Sequence, residues 1–263
     1  MHKYVFVSYF RDPDLDRKEE LLICLHSNAE NPDVHKVIVF LENSSHSKDL
    51  DDHEKIILVH LNRRLEFKDA FDYARENIED GSIVVISNLD IFLETSDEWA
   101  NIDRDFFQAG YPDKALVCCR HNLDENLQVW TEEDSWRRGE FCDAWVFKTP
   151  IKPEFLEENL RFCVGGAPQC DNLMMYLMSK YYHTYSWGSK YKIYHYDVCR
   201  KSDGPKMILN DKTDMRPSKR KREHIAISAF QNWDLFLKEQ IEPQYVPTWR
   251  IVYENGEEKY YPI

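Results

Sequence analysis

Ile83-Val84-Val85-Ile86-Ser87-Asn88-Leu89-Asp90-Ile91-Phe92 decides the reading of this chain. Four β-branched residues make a stiff apolar strand, and an amide and a carboxylate follow at its mouth. Aspartate is poor strand material and costs free energy when buried without a partner. A carboxylate in that place either closes an Asx turn or holds something charged, such as a divalent metal carrying a diphosphate.

The flanking segments give the strand its context. Lys3–Ser8, Lys36–Leu41, Lys55–Val59 and Ser82–Ile86 read as short apolar strands. Leu15–Asn28 has helical rhythm, with Leu15, Leu22 and Leu25 expected to face inward. Glu66–Ile78 is a second helix through Phe67, Phe71, Ala74 and Ile78, and Gly81 suits its stop. Glu42–Glu54 is a polar loop. Continuous apolar strands alternating with amphipathic helices imply a largely parallel α/β sheet covered on both faces. Such sheets bind ligands beyond the carboxyl ends of their strands, where Asn88 and Asp90 fall.

Further along, Trp99–Ala109 is expected as a helix, Lys114–Cys118 and Ala144–Phe147 as strands, and Pro153–Asn159 as a short helix. A glycine-containing loop at 164–170 leads to a helix that Asp171 can cap, running through Met174, Met175, Leu177 and Met178. Lys190–His195 reads as a last strand. This gives a catalytic-type domain over 1–200, a charged and mobile segment over 201–223, and a C-terminal part over 224–263. In that last part an amphipathic helix over Ile225–Glu239 and an aromatic tail are expected to pack back on the body.

Composition narrows the classes. With 263 residues and 14% aromatics the chain can bury a sizeable core. A formal charge of −13 disfavours general nucleic-acid binding, despite the basic run Arg216–Arg222, which reads as a solvated loop or a polyanion patch. No apolar stretch approaches the roughly 20 residues of a membrane span. The opening Met1–Phe10 is a strand rather than a secretory signal. Seven cysteines without a CxxC pair fit reduced thiols and a cytoplasmic setting, with peripheral membrane association or a virus-infected host cell as further contexts.

Asp90, Asp143 and Asp171 all stand at strand or helix mouths, where each also serves as an ordinary cap or turn acid. In this order the chain resembles the metal-dependent nucleotide-sugar glycosyltransferases of the GT-A type, over about residues 4–200. The resemblance is carried by Arg17–Asn28, Asn31–Val37, Arg64–Phe71, the asparagine-x-aspartate run Ile86–Phe92, Cys119-Arg120, Asp143–Lys148, Gly165–Asn172 and Ile193–His195. It implies a Rossmann-like mixed sheet flanked by helices. It also implies transfer of a sugar, with inversion, from a nucleoside-diphosphate sugar to a hydroxyl on a glycan, protein or small molecule.

On that resemblance Asp90 and His195 hold Mn2+ or Mg2+, and Asp171 activates the acceptor hydroxyl. Asn88, Asp143, Arg64 and Arg120 contact the donor, although Arg64 reads equally well as a surface residue of the helix it precedes. Leu89 is bulkier than the small residue usual inside the motif, and Cys142 and Leu173 replace polar neighbours of the later acids. These departures bear on sugar and acceptor choice. Two other readings use the same residues: a nucleotidyltransferase or sugar-nucleotide hydrolase, and a non-catalytic nucleotide-sugar-binding module. Trp145 and the Met174/Met175/Met178 cluster read as core, whereas Trp130 and Trp136 are candidates for stacking on a sugar or base.

Overall fold

A computed structural model of the chain describes residues 1–50, 52–109, 113–129, 142–165, 170–187, 190–199, 223–227, 248–254 and 257–262. The larger unit is a mixed α/β, GT-A-like sheet flanked by helices. Its strands are β1 (Lys3–Tyr9), β2 (Lys36–Leu41), β3 (Ile56–His60), β4 (Ile83–Ser87), β5 (Ile91–Leu93), β6 (Lys114–Asn122), β7 (Cys142–Lys148), β8 (His183–Ser186) and β9 (Ile193–His195). The order is β3-β2-β1-β4-β7-β6-β9-β5, with β8 also paired to β6.

The first four strands in that order run parallel, as the alternation with helices led one to expect. The rest departs from a largely parallel sheet, because β7 is antiparallel to both β4 and β6. The reversal has a functional consequence. The amino-terminal end of β7, with Asp143, lands on the same edge as the carboxyl ends of β4 and β6. The sheet then splits along β6: Lys114–Val117 pair with β8, while Arg120–Asn122 pair with β9.

Alternation along each strand feeds two cores. Tyr4 and Phe6 of β1 join one face, which packs under α2 (Phe67–Asn77), α4 (Pro153–Leu156) and α5 (Cys170–Tyr181). Val5, Val7 and Tyr9 join the other, under α1 (Leu15–Glu30). On the first face Phe71 meets Phe147 and Phe155 edge-on, with ring centroids 4.9 and 5.1 Å away. Trp145 is fully buried against Phe67, and Met174, Met175 and Met178 lie in the same core, as their spacing suggested.

Helix α1 starts where Asp14 accepts the backbone N–H groups of Asp16 and Arg17. Its buried face runs Arg17, Glu20, Leu21, Cys24, Leu25, Asn28 and Ala29. Leu15, expected inward, is instead exposed, and a charged pair takes the place that apolar periodicity would assign to leucines. Asn28 donates to the Ile91 carbonyl at 2.8 Å and accepts from Leu93 N–H at 3.1 Å. The helix thereby satisfies edge strand β5 with a side chain in place of a ninth ladder.

Three further differences from expectation have local causes. The helix sought over Trp99–Ala109 is broken into α3 (Asp97–Ala100) and a π-helical turn at Asp103–Phe107. There the Lys114 ammonium takes the carbonyls of Phe106 and Ala109, and Lys148 pairs with Asp103. The loop over 42–54 contains a 3-10 helix at Ser44–Asp49, opened by the Asn43 side chain. Asp171 is the second residue of α5, in its first turn rather than ahead of it.

A second, three-stranded antiparallel sheet is formed by β10 (Glu223–Ile227), β11 (Thr248–Glu254) and β12 (Glu257–Pro262). Residues 225–227 are thus strand where helical rhythm suggested the start of a helix, the backbone being paired with β11. The rest of that stretch, the charged segment 201–222 with its basic run, and Trp130 and Trp136 lie outside the described residues. Cys24, Cys118, Cys119, Cys142, Cys163 and Cys199 are free thiols. Among the described residues no helix is long and apolar enough to cross a membrane.

Removing a ring from the packed aromatic cluster tests the first core. F71A should lower unfolding stability in urea by about 3–5 kcal/mol, the usual cost of a phenylalanine-sized cavity. A loss below about 1 kcal/mol, within the range of an ordinary surface substitution, would contradict the described packing.

Candidate functional site

The carboxyl edge of the sheet carries two polar clusters. The first gathers Asp90, His195 and Asp197, whose ligand-type atoms all lie within 4.8 Å of one another. Asp90 sits in the tight turn between β4 and β5, and its carbonyl accepts Tyr196 N–H at 3.1 Å. His195 ends β9, where it pairs with Ile91 on one side and Asn122 on the other. Asp197 follows two residues later, so it shares a side with His195 in an extended chain.

Hydrogen bonding sets the imidazole. Nδ1 of His195 lies 2.9 Å from Oδ1 of Asn122 and donates to it. That leaves Nε2 facing Asp90 Oδ2 at 3.4 Å and Asp197 Oδ2 at 3.9 Å. An imidazole fixed at its far nitrogen beside two carboxylates is a donor set suited to a divalent ion such as Mn2+ or Mg2+.

Electrostatics around this cluster are unusual. Arg17, with only 3% of its side chain exposed, pairs with Asp90 Oδ2 and lies 3.0 Å from Asp197 Oδ1 and 3.0 Å from Glu20 Oε2. Burial opposes ionisation of Asp90, but His195 and the Arg17 guanidinium outweigh it and hold the carboxyl well below the usual range. Glu20 is likewise held low: burial acts against it, and hydrogen bonds from Cys199, Arg17 and Val198 prevail. One guanidinium faces three carboxylates, so the cluster retains negative charge that a divalent cation would offset.

The second cluster is built on Asp143. Its Oδ1 accepts from Asn88 Nδ2 at 2.6 Å and its Oδ2 from Arg120 at 3.1 Å, while its carbonyl accepts Asn88 N–H at 3.1 Å. Burial pushes Asp143 up to about 6, with Arg120 and His195 opposing and Asp90 and Asp171 reinforcing the shift. Asp171 therefore lies close enough for its charge to be felt at Asp143, from a half-buried place in the first turn of α5.

Gly165 closes this cluster. Its φ of +65° suits glycine, and a Cβ there would stand 2.3 Å from Asn88 Oδ1. That amide oxygen is buried and has no hydrogen-bond partner among the described residues. Arg64 is exposed, donates to the Gly165 carbonyl at 3.3 Å and lies 4.0 Å from Glu42.

The residues singled out in the sequence thus fall into two groups. Asp90 and His195 meet in the first cluster. Asn88, Arg120 and Asp143 meet in the second, with Arg64 reaching its Gly165 loop and Asp171 within electrostatic range. Asp197, Asn122, Arg17 and Glu20 were not anticipated. The alternation His195-Tyr196-Asp197 was a usable signal for Asp197. The other three depend on tertiary approach: Arg17 reaches Asp90 across 73 positions, and Asn122 reaches His195 across the same distance in sequence.

No protein-family model matches the chain, and no curated protein matches it. Several solved structures are similar to it in part. One is S. aureus TarS 1-349, at 11% identity and a TM-score of 0.47, over 74% of this chain and 60% of that one. Another is 4-diphosphocytidyl-2C-methyl-D-erythritol synthase from Anaerococcus prevotii, at 9% identity and a TM-score of 0.43, over 71% and 88%. A third is the mannosyltransferase PcManGT from Pyrobaculum calidifontis in complex with GDP-Man and Mn2+, at 14% identity and a TM-score of 0.43, over 75% and 56%. The chain spans less than two thirds of the first and third, and no residue role is carried across at these identities.

The raised Asp143 gives a signed pH dependence. A carboxyl that titrates near 6 when folded and about 3.9 when unfolded favours folding below about pH 4, and loses that contribution as pH rises through 6. Asp90, held low, titrates below this window. The parent should lose stability on the order of 2–3 kcal/mol between pH 4 and 7 from this group. D143N should flatten that slope in urea titrations across the same range, and parallel slopes would refute a carboxyl raised by burial at Asp143.

Proposed function

We propose that this chain is a metal-dependent glycosyltransferase that passes a sugar, with inversion, from a nucleoside-diphosphate sugar to a hydroxyl acceptor. The observation that carries the reading is the convergence of Asp90, Asp197 and His195 Nε2 at a sheet edge, beside a second cluster of acids and arginines. The resemblance of the asparagine-x-aspartate run and of the Gly165–Asn172 sequence to the GT-A pattern supports it. Asp90, Asp197 and His195 would hold Mn2+ or Mg2+, and Asn122 would keep the imidazole in its ligating tautomer. When bound, that ion supplies Lewis-acid stabilisation of the departing diphosphate.

The chain's own groups have distinct tasks in this scheme. Arg64, exposed beside the Gly165 loop, offers a guanidinium to phosphate oxygens. Arg120 shares the charge of Asp143 and keeps that carboxylate aligned. Asn88 Oδ1, buried and unpartnered among the described residues, offers an acceptor for a donor hydroxyl. Asp171 takes the acceptor hydroxyl proton as the new carbon–oxygen bond forms and the bond to the diphosphate breaks. A single displacement of that kind inverts the anomeric centre. Asp171 stands in the amino-terminal turn of α5, where the helix dipole favours negative charge.

Product analysis of the purified chain with sugar nucleotides, Mn2+ and hydroxyl acceptors tests the reading. Free nucleoside diphosphate and an enlarged acceptor are expected. D171A should cut turnover by about 10²–10⁴ while keeping metal-dependent donor binding, whereas D90N should lose both. Parent-like turnover in D171A would sink the assigned base. Release of inorganic pyrophosphate or of free sugar in place of transfer would favour nucleotidyl transfer or hydrolysis.

A further inference from the structure

Arg17 belongs to α1, on the opposite side of the sequence from both segments that carry the metal-type side chains. Even so, it touches each of them. One guanidinium nitrogen pairs with Asp90 Oδ2 in the β4–β5 turn. The other lies 3.0 Å from Asp197 Oδ1 and donates to the Tyr196 carbonyl at 3.1 Å, the main chain between His195 and Asp197. Asp197 Oδ1 stands on the Arg17 side as an ion pair, and Oδ2 is the oxygen that faces His195 Nε2. Glu20, one turn along the same buried face, accepts the N–H groups of Val198 and Cys199 at 2.7 and 2.8 Å. The main chain at 196–199 is thus stitched to α1 by a charged pair.

The chemistry explains why an arginine stands there. Its planar fork spans two carboxylates and a carbonyl at once, which an ammonium cannot do. Carboxylates crowded in a poorly solvated place repel one another and swing apart unless a cation stands between them. We propose that Arg17 is a positioning residue of the candidate metal centre, clamping Asp90 and Asp197 against His195 Nε2 and tying the 195–199 segment to α1. The proposal rests on the metal-site reading above. A guanidinium that merely competed with the ion for these oxygens would act in the opposite direction, which makes the two cases separable.

The test is Mn2+ titration of the full chain, with free ion followed by its EPR signal, in the parent, R17M, R17K and K3M. Lys3 is a buried cation of β1 that donates to the Trp99 carbonyl at 2.5 Å, so K3M controls for loss of a buried charge elsewhere. R17M should weaken Mn2+ binding by about 10–100-fold, the range seen when groups that orient metal ligands are removed. R17K should recover part of that loss. K3M should lower the melting temperature and leave Mn2+ affinity at the parent value. Should R17M fail to fold, R17K decides: affinity equal to the parent overturns the proposal. Tighter binding in R17M overturns it as well, in favour of competition. If the parent itself takes up no Mn2+, the metal-site reading fails, and this inference with it, a pattern distinct from unchanged affinity among binding-competent variants.

Discussion

Burying like charges is the constraint on which this structure turns. Asp90, Asp197 and Glu20 approach one guanidinium from three separate segments. In a poorly hydrated place such a set holds together only through that shared cation and the hydrogen bonds around it. The requirement reaches into the fold: α1 must bring Arg17 to the sheet edge, and Asp14 caps the helix immediately ahead of it. The same helix face carries Asn28, which closes edge strand β5 and so fixes the far end of the turn holding Asp90. Helix α1 is therefore a wall of the site as well as a layer of the core.

The antiparallel β7 is the second device. In an all-parallel sheet, Asp143 at the start of a strand would lie at the opposite edge from Asn88. Reversal places the two side by side, joined by both main-chain and side-chain hydrogen bonds. The clusters then sense each other, since Asp90, His195 and Asp171 all act on Asp143. One cluster keeps Asp90 ionised and fits a cation. The other keeps a carboxyl raised toward neutrality, with two arginines nearby. That division of labour suits a ligand with a charged end and a hydroxylated end.

Much of this architecture is readable in the sequence, and what is not has a physical reason. β2 has the bounds read for it, Lys36–Leu41, and Phe67, Phe71 and Ala74 face the core as helical spacing requires. Asp90 is marked by its own improbability at a strand mouth. The mixed strand direction leaves no trace in local pattern, because β7 is apolar whichever way it runs. Arg17 and Glu20 are hidden for a related reason: periodicity treats charge as the solvent face, and here charge is the buried face. Leu15 misleads in the same way, standing exposed well before the stripe begins its apolar part at Leu21. Residues 225–227 alternate weakly enough to satisfy either period, and pairing with β11 decides.

Anomalous diffraction from crystals soaked in Mn2+ with a sugar nucleotide tests the central claim most directly. The account predicts one manganese peak within bonding distance, about 2.0–2.3 Å, of Asp90, Asp197 and His195 Nε2, on the side of His195 away from Asn122. A peak elsewhere on the molecule, or nucleotide bound with no metal near Asp90, would contradict it.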